Sequence, residues 1–238
     1  MFIDTMSCTE LMREYSNDLP EIKEKAHAFS DSDYVTKYLH KRRKMEFVML
    51  TKQIKVKSGN KYIGTMIYIR EGKGKSKYWN WMAIHVGLMN THKGLMVLAF
   101  FEKEQLAVKY TPHFFRRYKE RMLNNDNCNW KLRNQLTSAT TQEQIISLYI
   151  QRNLGTSWIN TESVYKEKKH IFAPVTDGVT LIQWDSLHKT LQANTFITYD
   201  MLDEKQSKMI ENLNKYNDLN EEEQQRLKNP LFTLNNDK

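Results

Sequence analysis

Between residues 53 and 110 the chain consists of strand-length segments separated by short turns, and this pattern limits the fold more than any other feature. Residues 53–57 alternate polar and apolar side chains, as a half-buried strand does. A turn-forming stretch at 58–60 follows, and residues 62–69 can return as its hairpin partner. Further strands are predicted at residues 78–89, 95–101 and 106–110. Because short connections join antiparallel strands, we expect a meander.

Patterns on either side of this meander predict an α+β fold. Helically spaced apolar residues predict helices within 1–45, and Thr141 with Gln144 resembles a capping box that opens a helix at 142–153. Strands return at 170–175, 179–184 and 191–199, the first two joined by an Asp-Gly hairpin turn. We expect three parts: a helical N-terminal arm (1–45), a core with an antiparallel sheet and flanking helices (46–200), and an amphipathic C-terminal helix with its tail (201–238).

Charge is distributed unevenly along the chain, which has a formal net charge of +8. Residues 41–77 hold twelve Lys or Arg against two Glu, a net of +10, whereas residues 200–225 hold eight acids against three Lys, a net of −5. A basic surface favours polyanionic partners, so we expect a nucleic acid, RNA in preference to DNA. The two charged regions either act separately or neutralise each other by contact, and the sequence leaves both open.

Cations in the basic region and the following helix are expected to bind phosphates, and one aromatic ring is expected to stack on bases. These candidate nucleic-acid-binding residues are Lys41, Arg42, Arg43, Lys73, Lys75, Lys77, Trp79 and Arg116. Two alternatives stay open. The run 41–44 can simply end a helix, where cations interact favourably with the dipole. Trp79 can be a core aromatic of a strand.

One short segment, 111–121, combines several groups that phosphodiester chemistry needs. Thr111 suits an N-cap and Pro112 suits the first helical turn. His113, Arg117 and Arg121 follow at spacing i, i+4, i+8, which places them along one side of the helix. Histidine can transfer protons near neutral pH, and arginine presents a planar cationic fork to phosphate oxygens. The alternative is an ordinary solvated helix face, on which Glu120 pairs with Arg116.

The stretch that starts at His113, HFFRRYKER, resembles the opening helix of the barnase–EndoU–colicin–RelE-like superfamily of metal-independent ribonucleases, some of which are toxins. The resemblance covers residues 106–123 and 170–200. It implies that His113 is the acid/base, that Arg117 and Arg121 hold the phosphate, and that Thr198 or Tyr199, in the last strand, lies opposite. It also implies an activity without a metal or other cofactor.

Other classes of function receive little support. Cys8 and Cys128 lie in no CxxC pattern, and the histidines have no acidic or cysteine partner at zinc-ligand spacing. The first residues lack the features of a signal peptide, and no stretch reaches about 18 apolar residues, so we expect a cytoplasmic protein with no membrane partner.

Three hypotheses therefore stand. The first is a metal-independent ribonuclease, or a protein derived from one. The second is a non-catalytic nucleic-acid-binding protein that uses the same basic surface. The third is a protein-interaction module, or a homodimer, that docks through the apolar stripe of the helix at 201–216.

If nucleic-acid binding depends on the +10 excess of residues 41–77, affinity should fall steeply with salt, because cationic side chains release counterions from phosphate. Filter binding of a labelled RNA at two salt concentrations measures this. An affinity that does not change with salt would contradict a phosphate-driven interface.

Overall fold

The structure, a computed structural model, describes residues 1–72, 77–102, 105–153 and 170–217, without the side chains of 170–172, 209 and 212–217. The helices are α1 (Cys8–Ser30), α2 (Asp33–Lys41), α3 (Pro112–Asn124), α4 (Trp130–Ser138), α5 (Gln142–Asn153) and α6 (Glu204–Asn217). The strands are β1 (Phe47–Lys55), β2 (Lys61–Glu71), β3 (Tyr78–Thr91), β4 (Gly94–Phe101), β5 (Leu106–Tyr110), β6 (His170–Val175), β7 (Gly178–Asp185) and β8 (Thr190–Ile197). The expected α+β class is confirmed.

The eight strands form one sheet in the order β1-β2-β3-β4-β5-β8-β7-β6. The meander from β1 to β5 is antiparallel throughout, as expected. One pair departs from the antiparallel expectation, because β5 and β8 are parallel, with Val108 opposite Leu191 and Tyr110 opposite Ala193. Parallel neighbours require a long crossover, and here the chain passes through α3, α4 and α5 before the second set of strands begins.

Helices cover both faces of the sheet. On the first face, α1 and α2 bury Leu11, Ile22 and Leu39 against residues such as Tyr62 and Leu98 of the meander. Residues 1–45 are thus a layer of the core and not a projecting arm. On the second face, α3, α4 and α5 bury the side chains Phe114, Phe115, Tyr118, Leu132, Leu136, Ile146 and Tyr149.

A buried carboxylate fixes α1 on the first face. Asp18 of α1 is 6% exposed. Its Oδ2 accepts hydrogen bonds from the Tyr62 hydroxyl (2.7 Å), Asn60 Nδ2 (2.7 Å) and the Ser58 hydroxyl (3.0 Å). Because a buried carboxylate is stable only when donors surround it, these bonds fix α1 relative to the β1–β2 hairpin. Burial, and then the bond to Asp18, raise the pKa of Tyr62, so its hydroxyl stays a donor.

A second buried carboxylate, Asp177 in the β6–β7 turn, fixes helices against the other face of the sheet. It accepts hydrogen bonds from the Tyr118 hydroxyl of α3 (2.7 Å), from Arg152 Nε (2.8 Å) and from Asn153 Nδ2 (3.1 Å), the last two in α5. Its own amide donates to Asn153 Oδ1 at 3.0 Å. One side chain therefore joins α3, α5 and the turn.

Three details differ from the sequence-based expectation. Helix α4 was not predicted, because its stretch is largely polar and buries Leu132 and Leu136 alone. The last strand ends at Ile197, so Thr198 and Tyr199 do not lie in it, and a 3-10 turn follows at Tyr199–Met201. The C-terminal helix includes no residue before Glu204, so it begins later than expected, and the residues after Asn217 lie outside the described part of the chain.

The apolar stripe expected at 201–216 is described in part. Ile210 of α6 is buried, whereas Met201, in the 3-10 turn, is half exposed. The side chains at 209, 213 and 216 lie outside the description. Within the described part of the chain, no helix is both long and apolar enough to cross a membrane.

Replacement of Asp177 by asparagine should destabilise the fold by about 2–3 kcal/mol, because Arg152 then loses its counter-charge and Tyr118 its strongest acceptor. The loss should fall below that of a fully buried pair, since the Arg152 side chain is 32% exposed and water can compensate. Urea unfolding measures it. Asp126→Asn, at an exposed loop position, is the matched control. Equal stability of both variants would show that the Asp177 bonds contribute nothing net.

Candidate active site

Helix α3 begins directly at the end of β5, and local sequence fixes its start. Thr111 is the N-cap, and its hydroxyl accepts a hydrogen bond from the Phe114 amide at 3.2 Å. Pro112 occupies the first turn, where its missing N–H costs nothing. Phe114 and Phe115 are buried against the sheet. His113 therefore lies on the exposed side of the first turn, next to the helix N-terminus.

Two arginines contact the imidazole of His113. Arg116 Nη2 lies 2.8 Å from Nδ1, and Arg117 Nε lies 3.4 Å from Nε2. A guanidinium has no acceptor, so Nδ1 must accept the shorter bond. The proton of the neutral ring then lies on Nε2, and the longer contact is proximity without a good hydrogen bond. A protonated imidazole would have no lone pair for either arginine, so this geometry belongs to neutral histidine.

Electrostatics favour the same state. Burial, followed by the cations Arg116 and Arg117, lowers the pKa of His113 below its ordinary value of 6.5. Glu120 acts in the opposite direction and only partly offsets them. At neutral pH the site therefore holds a free base next to two permanent cations.

A groove of about 1080 Å³ runs along this edge of the domain. Arg116 and His113 contribute one wall. Lys93 of the β3–β4 turn, Gln192 and Asn194 of β8, and Thr140 before α5 contribute others. The groove also contains the carboxyl groups of Asp4 and Glu120 and apolar side chains such as Met96 and Ile145. Its cations are the groups that could bind a phosphate.

The structure separates the two predicted phosphate-binding arginines from each other. Arg117 lies beside His113 and forms an exposed ion pair with Glu120, from Nη1 to Oε2 at 3.0 Å. Arg121 instead donates from Nη1 to the Phe196 carbonyl of β8. Eight residues of helix separate Arg121 from His113, a rise of about 12 Å. Arg121 therefore helps to fix α3 on β8, and the structure does not bring its guanidinium to His113.

Thr198 and Tyr199 do not face His113 in the way the resemblance implies. Thr198 is buried, and the Tyr199 hydroxyl donates to the Val175 carbonyl at 2.7 Å. Both follow Phe196 closely, so they lie toward the end of α3 that carries Arg121. The site that the structure assembles consists of His113, Arg116 and Arg117.

The predicted nucleic-acid-binding residues do not form one surface. Lys41 and Arg42 end α2, the helix that covers the face opposite to α3, and Arg42 stacks 3.5 Å above the Tyr38 ring, whereas Arg43 lies in the connection from α2 to β1. Trp79 packs against the core cluster under α1, so the alternative of a core aromatic is the better description. Lys77 is exposed. Lys73 and Lys75 lie outside the described residues.

Sequence reasoning assigned Arg116 to general phosphate binding and missed its contact with His113. Its position three residues after His113 was the available signal, because i, i+3 neighbours meet on a helix. Lys93, Gln192 and Asn194 gave no signal, since strand pairing alone brings them to the groove. Within the described ranges no group of three His, Cys, Asp or Glu side chains converges as metal ligands would.

Comparisons with known proteins leave the chemistry of the site as the guide to function. No family model, no curated protein and no solved structure matches the chain. The groups that can act are a neutral imidazole, two guanidinium groups and a polar groove that is open to solvent.

The titration of His113 tests this description without any substrate. Its NMR midpoint should lie below the ordinary value of 6.5. Arg116→Ala should raise that midpoint, because a removed cation no longer disfavours the imidazolium. Arg13→Ala, on α1 and exposed, should leave it unchanged. A midpoint that is the same in the wild type and in Arg116→Ala would contradict the close contact of the two side chains.

Proposed function

We propose that this protein is a metal-independent ribonuclease in which His113 transfers the proton and Arg116 and Arg117 bind the reacting phosphate. One observation carries the proposal: the His113 imidazole and Arg116 line a groove, and the imidazole lies 2.8 Å from Arg116 Nη2 and 3.4 Å from Nε of the neighbouring Arg117. A general base next to fixed cations is what attack on a phosphodiester requires.

The proposed reaction is an internal transesterification. A substrate phosphate draws the guanidinium of Arg116 away from Nδ1, and the freed nitrogen takes the proton of the 2′-hydroxyl. The 2′-oxygen bonds to phosphorus while the bond from phosphorus to the 5′-oxygen breaks. The imidazolium returns its proton to the leaving oxygen, directly or through water, and a 2′,3′-cyclic phosphate remains. Arg116 and Arg117 stabilise the charge that develops on the phosphate oxygens.

The choice of RNA over DNA follows from this chemistry, because the nucleophile is the 2′-hydroxyl that DNA lacks. A groove of about 1080 Å³ has room for a nucleotide. We place the activity in the cytoplasm, since Cys8 and Cys128 are both free thiols and both are buried.

A second candidate is a nucleic-acid-binding protein without catalysis. The position of Arg121 favours it, because this side chain binds the Phe196 carbonyl and leaves the reacting group with fewer cations than the superfamily resemblance implies. Such a protein would bind RNA in the groove and release it uncut.

His113→Ala should lower the cleavage rate by about 10² to 10⁴, the usual loss for a general acid or base. Arg117→Ala should lower it by about 10² to 10³, because a preorganised charge on the transition state is lost. A labelled single-stranded RNA incubated with a chelator gives the rates, and circular dichroism shows that each variant folds.

Lys131→Ala removes an exposed cation of α4 and is the matched control, for which we expect wild-type cleavage. Wild-type protein that binds RNA and never cuts it would favour the second candidate. Cleavage that survives both the His113 and the Arg117 substitution would place the active site elsewhere.

A further inference from the structure

The first three strands extend beyond the rest of the sheet, and none of the described helices covers one face of this extension. β3 pairs with β4 only from Val86 to Thr91, so residues 78–85 continue past β4 together with β1 and β2. We call this extension the wing. Its back is covered by α1 and α2, which bury Val48, Leu50 and Tyr68. Its front is the same sheet face that carries α3 and α5 further along.

The front of the wing carries apolar side chains in register. Phe47 lies opposite Ile69 and Met49 opposite Ile67. Met82 in turn pairs with Ile67, and Tyr78 begins β3 at the tip. Phe47 is 57% exposed, Met82 55% and Tyr78 58%. Large apolar side chains that are exposed together on one surface mark a binding site more often than they mark a monomer surface.

The tip of the wing is strongly basic. Residues 41–46, which lead into β1, contain four Lys or Arg and one Glu, a net of +3. Across the tip, the described residues include Arg70 near the end of β2 and Lys77 just before β3. Arg43, Lys44 and Lys77 are exposed and have no ion-pair partner among the described residues. Glu71 is engaged, since it accepts a hydrogen bond from the Tyr78 hydroxyl at 3.1 Å.

We infer that the wing binds single-stranded nucleic acid, with bases stacked on Phe47 and Tyr78 and the backbone held by the basic tip. The rings of Phe47 and Tyr78 are separated by two strand spacings across the sheet and by two residues along it. The usual strand spacing and rise per residue then place them ~12 Å apart, so each ring can stack on its own base. A single strand exposes the faces of its bases, whereas a duplex conceals them. The cations complement phosphate, whereas a protein partner would have to be acidic at the matching edge.

This inference is independent of the ribonuclease proposal, because the two surfaces lie at opposite ends of α5. The groove lies at the start of this helix and the wing lies beyond its C-terminal end. Gln142 at the start of α5 bonds to Leu95 beside the groove, and Gln151 near its end donates to the Thr51 hydroxyl at 2.9 Å. The two surfaces are thus separated by about the 18 Å length of a twelve-residue helix.

Fluorescence anisotropy with a short labelled oligothymidylate at low salt tests the wing alone, because this DNA lacks the 2′-hydroxyl and cannot be cut. Phe47→Ala and Tyr78→Ala should each weaken binding about ten-fold, the loss of one stacked base. Tyr78→Phe keeps the ring and should bind as the wild type does. Trp130→Ala removes an exposed ring from α4 and is the matched control. Lys131→Ala, which removes an exposed cation of α4 away from the wing, should also bind normally. Because the readout is binding of a DNA that cannot be cut, failure of this test is distinct from failure of the cleavage test.

Four results would overturn the inference. One is a wild-type protein that does not bind the oligonucleotide. Another is binding that both alanine variants retain in full, with circular dichroism showing native folds. The third is a dimer, seen by light scattering, that Phe47→Asp converts to a monomer, because the wing would then be an interface between copies of the chain. Tighter binding of a duplex than of the single strand would also count against stacking.

Discussion

Asp177 is only 8% exposed. A carboxylate buried so deeply must be surrounded by hydrogen-bond donors. Those donors come from Tyr118 in α3 and from Arg152 and Asn153 in α5. The turn that contains Asp177 joins β6 to β7, which the sheet places beside β8. This requirement therefore orients two helices against the second half of the sheet. The position of His113 at the groove follows from the orientation of α3.

On the opposite face, a second buried carboxylate also requires donors. Asp18 accepts hydrogen bonds from the β1–β2 hairpin, and these bonds fix α1 across the meander. The sheet is thus held between two helical layers, each attached through one buried acid and a tyrosine hydroxyl. Since α1 and α2 reach the wing and α5 ends close to Thr51, the back of the wing is covered, and no described helix covers its front.

Groove and wing lie on one face of the sheet, at opposite ends of α5. We propose that the groove binds a phosphate through a base and cations and that the wing binds bases and backbone through rings and cations. Such a division between two surfaces would explain why the basic residues are dispersed. Arg116 and Arg117 would act at the first surface, and Arg43, Lys44 and Lys77 at the second. Arg42, stacked on Tyr38, belongs to the packing of α2.

The sequence by itself determined what depends on near neighbours. The alternation of β1 to β5, the start of α3 at Thr111 and Pro112, and the approach of Arg117 to His113 all arise within a few residues. The tertiary structure alone decided what depends on distant pairing. The parallel join of β5 and β8 brings Gln192 and Asn194 to the groove and the Phe196 carbonyl to Arg121. The reason is physical: local periodicity fixes which side chains share a face, but the partner of that face is chosen by contacts between segments far apart in the chain.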